Sequence, residues 1–440
     1  MTEPLKIGIA GLGTVGAALV GILQTRRAEL AVSCGRPIEI AAVSARDRGR
    51  DRGVDLSAVS WFDDPVELAR TAEIDVFVEL MGGAGDPALS AVEAALSRGL
   101  HVVTANKALL SSHGLRLAAI AEGEGALLNY EAAVAGGIPV IKALRESLTG
   151  NRISRVYGIM NGTCNYILTK MEKEGLSFEA CLKEAQRLGY AEVDPAFDIE
   201  GNDTAHKLSI LTSLAFGTAI AADDIYLEGI TNISIEDIHA AADLGYRIKL
   251  LGVAQRTESG IEQRVHPTMV PRESVIAQVD GVTNAVAIES DILGELLMAG
   301  PGAGGNATAS AVLGDIADIA KSRPGAQTVP VFGRPVGELT PSVKAEMQSH
   351  EGGYFIRLTV ADRTGVFAGI ATRMAENNIS LESIVQRPKH HDRTDAPQTI
   401  VLVTHATTED SVRRAAASIR SDGYLFGEPQ VIRIERPRTR

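Results

Sequence analysis

Residues 5–24, LKIGIAGLGTVGAALVGILQ, decide the fold. The run Leu5–Ala10 is almost wholly apolar, as a strand buried on both faces must be. It leads straight into Gly11, Leu12, Gly13, Thr14, Val15 and Gly16, where apolar residues begin to recur at helical spacing. Glycines at such a junction permit a tight turn and let backbone amides approach a pyrophosphate, which then rests on the positive end of the helix. A lone GxGxxG also describes an ordinary glycine turn. Strand, glycines and helix in that order, at the head of a βαβ pattern, favour a dinucleotide loop built from these six residues.

Further apolar runs at 38–43, 76–80, 101–104 and 126–130 alternate with helical patterns such as 87–98. That alternation specifies a parallel sheet with crossover helices, so 1–150 reads as a Rossmann-type α/β domain. From 151 to 322 strand-like runs (153–160, 247–254, 285–288) mix with long helical segments, giving an α+β domain built on a largely antiparallel sheet. Residues 323–352 are loop-like and read as a linker. The block 353–435 reads strand, helix, strand, strand, helix, strand.

Composition narrows the function. The chain has 440 residues, 45% of them apolar and 22% charged, and is globular rather than disordered. A formal charge of -12 argues against nucleic acid or an anionic membrane as partner. No signal peptide and no apolar run of spanning length stands in the text, so a cytoplasmic location is expected. Cys34, Cys164 and Cys181 lack the number and spacing of a disulfide frame or zinc site.

Several residues stand where chemistry is done. After the second strand come Ser44, Ala45 and Arg46, with no acid to grip a ribose 2′-hydroxyl; an arginine there suits a 2′-phosphate and favours NADP over NAD. The alternative is that Arg46 belongs to a solvated charged turn. Lys107 lies just past a strand's carboxyl end, the edge where ligands bind, though a surface lysine at a helix start reads equally well. In Asn161-Gly162-Thr163-Cys164-Asn165-Tyr166 a strand turns into a helix, and its amides with the Thr163 hydroxyl suit a small polar substrate. Cys164 invites a thiolate reading, but a buried inert cysteine is commoner. The pair His390-His391 sits in a polar loop and reads as solvated rather than metal-binding. Residues 185–207, AQRLGYAEVDPAFDIEGNDTAHK, cluster Glu192, Asp194, Asp198, Glu200 and Asp203 before Lys207. Asp203 and Lys207 at i,i+4 share a helix face, as a surface ion pair or a placed proton donor.

Ala185, Gly189, Tyr190, Ala191, Asp194-Pro195, Asp198, Gly201, Asp203 and Lys207 fill a pattern that resembles the signature of the homoserine dehydrogenases. The GLGTVG loop, Thr104–Lys107, YEAAVAGGIP at 130–139 and NGTCNYIL at 161–168 are similar to that family's segments, in that family's order. The last block resembles an ACT domain, a βαββαβ amino-acid-binding module, with Asp362-Arg363-Thr364-Gly365-Val366 at its first turn. The resemblance implies reversible reduction of L-aspartate 4-semialdehyde to L-homoserine with NADP or NAD, in threonine, methionine and isoleucine biosynthesis. It implies an amino-acid effector such as threonine, a homodimer or homotetramer, and residues 151–322 as the substrate-binding and dimerisation domain. It assigns Lys207 to proton donation, Asp203 to orienting that lysine or bonding substrate, and Glu192 to the substrate's amino group. Asp198, Thr163 and Tyr190 complete the pocket, Lys107 lies by the nicotinamide and shares the acid/base work, and Gly304 closes on the cofactor. Main-chain oxygens of Glu131, Val134, Gly136 and Ile138 match a sodium site in relatives; a glycine turn with no metal is the alternative. Two rival functions are a semialdehyde-oxidising dehydrogenase with Cys164 as nucleophile, and a catalytically inactive amino-acid sensor.

Overall fold

The computed structural model describes residues 3–322, 329–345, 350–386 and 397–435. His390 and His391, and residues 323–328 and 346–349 of the expected linker, lie outside the described residues.

Strands β1 (Leu5–Ala10), β2 (Ile38–Ser44), β3 (Ser60–Phe62), β4 (Val76–Glu79), β5 (His101–Thr104) and β6 (Leu128–Asn129) form one parallel sheet ordered β3-β2-β1-β4-β5-β6. Chain order reverses between β1 and β4, the crevice where open α/β sheets take their ligands. The glycine loop sits at that point because only glycine fits it. Gly11 has φ 104, and a Cβ there would lie 2.5 Å from the Leu80 carbonyl oxygen; a Cβ on Gly16 would lie 2.1 Å from that of Gly11. A Cβ on Gly13 would meet nothing within 4 Å, so this face of the turn is open to a ligand.

The second sheet begins with β7 (Ile153–Ile159), β8 (Tyr226–Leu227), β9 (Tyr246–Arg256), β10 (Ile261–Pro271), β11 (Thr283–Ser290) and β12 (Gly294–Pro301). Its path β12-β11-β7-β9-β10 is antiparallel throughout. It continues through the last block, which contributes β13 (Glu351–Ala361), β14 (Leu381–Gln386), β15 (Pro397–Thr404), β16 (Thr407–Thr408) and β17 (Gln430–Ile434) in the order β17-β13-β15-β14. With the helices Val366–Glu376 and Glu409–Ser421 this is the expected βαββαβ order, with the two-residue β16 added. The join is the parallel pairing of β10 with β17, Thr268 with Arg433 and Met269 with Ile434.

Two segments tie the blocks together. Helix Gly305–Lys321 packs Val312, Ile316 and Ile319 into the cluster of Leu19, Val20 and Leu23, so the chain returns from the second sheet to complete the core of the first. Residues 329–345 lack periodicity yet are docked: Val331 and Phe332 are buried, and Val331 accepts a hydrogen bond from the Tyr130 hydroxyl at 2.7 Å. Among the described residues no helix is long and apolar enough to cross a membrane.

Candidate active site

The site forms where helix Asn202–Phe216 meets the end of β7. Gly201, with φ 92, starts that helix, and a Cβ there would press on Val265 at 2.9 Å. The turn this permits directs Asp203 and Lys207, one helical turn apart, at Met160 and Asn161. Lys207 Nζ lies 2.8 Å from Asp203 Oδ2 and donates to the Met160 carbonyl at 2.7 Å. The other carboxylate oxygen, Oδ1, lies 3.1 Å from Lys107 Nζ. Lys107 opens helix Lys107–Gly123, whose first turn is capped by the Asn106 side chain. One carboxylate therefore anchors two ammonium groups that reach it from different helices. The Lys107 side chain is 33% exposed and that of Lys207 11%, so Lys107 lies on the open side and Lys207 at the floor.

A second carboxylate stands beside the first. Asn161 Nδ2 donates to Asp198 Oδ1 at 2.8 Å and to Asp203 Oδ2 at 3.0 Å. The Thr163 hydroxyl is 2.6 Å from the Tyr190 carbonyl and 3.3 Å from Asp198 Oδ2. Burial pushes the Asp203 carboxyl up, but the Lys207 and Lys107 charges and the hydrogen bonds from Lys207 and Asn161 outweigh it and hold the group well below the usual carboxylate range. Asp198 goes the other way: burial and then the negative charge of Asp203 raise it. Cys164 is fully buried, with Sγ 3.2 Å from the Asp198 carbonyl oxygen. Burial, Asp198 and Asp203 push its thiol well above the ordinary value, the reverse of what a thiolate nucleophile needs.

The structure thus brings together Lys207, Lys107, Asp203, Asp198 and Thr163. Tyr190 reaches the group through its carbonyl; its ring packs on Tyr166 at 5.0 Å between centroids. Glu192 is exposed, and its carbonyl accepts from Gln186 Nε2 at 3.0 Å. Sequence reasoning missed Asn161 and the Met160 carbonyl. An asparagine just before a helix announces a cap, which Asn161 is, but nothing local shows its amide reaching two carboxylates.

On the cofactor side, Gly304 (φ 111) precedes helix Gly305–Lys321, and a Cβ on Gly305 would lie 3.1 Å from Thr14 Cγ2. Two helix N-termini therefore face one crevice, an arrangement suited to a pyrophosphate. Arg46 is exposed just beyond β2. Arg52, also missed in the sequence, donates to the Leu12 carbonyl of the glycine loop at 3.2 Å and lies 5.6 Å from the Trp61 ring centroid. The stretch 131–138 is a largely buried turn: helix Ala132–Ala135 ends at Gly136 (φ 58), where a Cβ would collide with the Gly302 carbonyl oxygen at 2.3 Å. The Ile138 carbonyl accepts from Val140 N at 2.8 Å. Among the described residues no group of three or more His, Cys, Asp or Glu side chains could hold a metal.

Comparison with known proteins agrees with this geometry. Residues 11–131 match the homoserine dehydrogenase NAD-binding domain, 139–317 match the homoserine dehydrogenase family, and 354–423 match the ACT domain. A homoserine dehydrogenase of Neisseria gonorrhoeae is 44% identical, over 98% of this chain and 99% of that protein. The crystal structure of a homoserine dehydrogenase from Thiobacillus denitrificans superposes with a TM-score of 0.91 at 41% identity, covering 98% of each chain. A hyperthermophilic archaeal homoserine dehydrogenase in complex with NADPH gives a TM-score of 0.61 at 28% identity, over 71% of this chain and 97% of that one.

The charge pattern predicts how stability depends on pH. A carboxyl held low in the folded state stabilises the fold above its unfolded pKa of about 3.9, and that contribution is lost as pH falls below it. Asp203→Asn leaves Lys207 buried without a counter-charge and costs about 3 kcal/mol at pH 7. Urea unfolding at a series of pH values checks it: the gap between wild type and variant narrows below pH of about 4.

Proposed function

This chain belongs to the homoserine dehydrogenase family, and from that premise we propose which of its residues carry the reaction. It is an NAD(P)-dependent oxidoreductase that interconverts L-aspartate 4-semialdehyde and L-homoserine, a step of amino-acid biosynthesis. The glycine loop 11–16, with Gly304 and Lys107 beside it, would hold NAD(P), which would supply or accept the hydride at the substrate carbon. In the reducing direction negative charge develops on the aldehyde oxygen, and a positioned ammonium both stabilises and protonates it.

Lys207 is that ammonium. The observation that carries the assignment is its bonding: of its three N–H groups one is held by Asp203 and one by the Met160 carbonyl, which leaves the third with a fixed direction. In the oxidising direction the neutral amine takes the proton back from the homoserine hydroxyl. Asp203 orients both lysines, and Lys107, on the open side, shares the proton chemistry. Thr163 and Asp198 bind polar groups of the substrate, Tyr190 lines the pocket, and Glu192, from its exposed segment, meets the substrate's ammonium with the matching charge. Conserving these roles under an intact acid cluster leaves neither an inactive sensor nor a thioester route as the better reading.

Arg46 is proposed to bind the 2′-phosphate and favour NADP. The main-chain oxygens of Glu131, Val134, Gly136 and Ile138 are proposed to hold a monovalent cation such as sodium; carbonyls in a buried turn are the donor type such an ion takes, and no step of the reaction depends on it. The ACT domain is proposed to bind an amino acid such as threonine that regulates the enzyme. A cytoplasmic homodimer or homotetramer, assembled through the second domain, completes the proposal.

Three kinetic outcomes are expected. Lys207→Ala lowers kcat by about 10²–10⁴-fold, the range for a lost general acid, with the protein folded by circular dichroism. Arg46→Ala raises KM for NADP by about tenfold and leaves KM for NAD within about twofold, read in parallel assays of homoserine oxidation. Cys164→Ser keeps kcat within about threefold of wild type; abolished activity would instead support a covalent thiol mechanism.

A further inference from the structure

Asn161 makes three hydrogen bonds, and a helix cap accounts for only one. Its Oδ1 accepts from the Cys164 amide at 2.8 Å, the ordinary capping bond of helix Gly162–Glu174. Its Nδ2 carries two hydrogens and spends them on two different carboxylates, Asp198 Oδ1 and Asp203 Oδ2, at 2.8 and 3.0 Å. The side chain is buried, so neither carboxylate contact is replaced by bulk water. The neighbouring residue, Met160, supplies the carbonyl that fixes Lys207. The end of β7 therefore holds both ends of the Lys207–Asp203 pair.

We propose that Asn161 is a positioning residue of the reaction: its amide clamps the two adjacent carboxylates and so fixes Asp203 against Lys207 and Lys107. Two like charges side by side repel, and without a donor between them one swings away or takes up a proton. A neutral amide NH2 is suited to the place because it donates to both without adding charge. Asp198, raised by burial and by its neighbour, is the member that would protonate first. Either change, a swing or a proton, alters the direction of the third N–H of Lys207, and displacement of a reacting group by about 1 Å is enough to cost about 100-fold in rate. The titratable groups around the clamped pair are Asp198 from the short helix Ala196–Ile199, Asp203 and Lys207 from helix Asn202–Phe216, Lys107, which pairs with Asp203 from its own helix, His206, which feels the Lys107 and Asp203 charges, and Cys164 from the capped helix. The inference rests on the assignment of Lys207 and Asp203 made above.

Two substitutions separate clamp from cap, because Asp and Ser cap helices about as well as Asn. In Asn161→Asp the cap is kept and a third carboxylate replaces the donor. Expected is a fall in kcat of about 100-fold at neutral pH, with KM for NADP within about twofold. The midpoint of the pH–kcat profile for homoserine oxidation moves upward, since added negative charge favours the protonated forms of Lys207, Asp198 and Asp203 alike. In Asn161→Ser one hydroxyl donor remains and no charge is added; kcat falls by less, and the profile does not move. If the Asp variant is poorly folded, the Ser variant decides by its kcat at unchanged cofactor KM. Wild-type kcat and an unmoved profile in these variants, even with a lowered melting temperature, reduce Asn161 to a helix cap and overturn the inference. Wild-type activity in Lys207→Ala would instead overturn the reading on which it rests.

Discussion

The Asp203 carboxylate is the constraint on which the site depends. Two ammonium groups do not stay close together in a buried pocket unless an anion lies between them, and neither does a buried carboxylate remain ionised without cations. Lys107, Asp203 and Lys207 satisfy each other at 3.1 and 2.8 Å, one oxygen to each nitrogen. Because Lys107 comes from the helix that follows β5 of the nucleotide-binding sheet and Asp203 and Lys207 from the helix behind the second sheet, the same contacts also set how the two halves meet. The cofactor crevice is closed in parallel: Gly136, whose Cβ would strike the Gly302 carbonyl oxygen, and Gly305, whose Cβ would press on Thr14, remove side chains where the two halves approach, and helix Gly305–Lys321 packs along helix Thr14–Thr25. The relative position of the two blocks is thus fixed by charge on one side and by close backbone packing on the other.

The terminal block is attached by similar physics. Its sheet continues the second sheet through β10 and β17, and charged residues cross the seam: Arg155 and Arg264 meet Glu435 at 2.8 and 3.3 Å, while Arg433 meets Glu228 at 3.3 Å. Arg357 in β13 bonds Asp237 in the helix Ile235–Asp243 of the second block. Buried ion pairs add little net stability against apolar packing, but breaking one leaves an uncompensated charge. Arg155 lies on β7, the strand whose far end holds Met160 and Asn161. The seam and the carbonyl that holds Lys207 are therefore linked through one strand.

What could be read from the sequence followed from local rules. The strand, glycine loop and helix of 5–24 announce themselves by order and periodicity, and the filled pattern from Ala185 to Lys207 locates the acid cluster. The strand β10 could not be read: IEQRVHPTMVP is half polar and holds two prolines, yet every residue of it is buried. Arg264 and Glu262 find partners in Glu435 and His350, far along the chain, so no window reveals that these polar residues belong inside. The short β3 carries too little pattern to be seen. The same limit applies at the site. The i,i+4 pair of Asp203 and Lys207 is visible in the text; the capture of Asp203 by Lys107, and the double bond of Asn161 to two carboxylates, are tertiary facts.

The central claim is that a directed amine at residue 207 moves the proton while hydride is exchanged. Chemical rescue tests it most directly: homoserine oxidation by the Lys207→Ala protein is measured with saturating NADP and a series of small primary amines of increasing pKa. The account predicts that the amines restore part of the lost rate and that the restored rate climbs with amine pKa, as a general base must. A rate indifferent to every amine, in a variant that still binds NADP and homoserine, would contradict it.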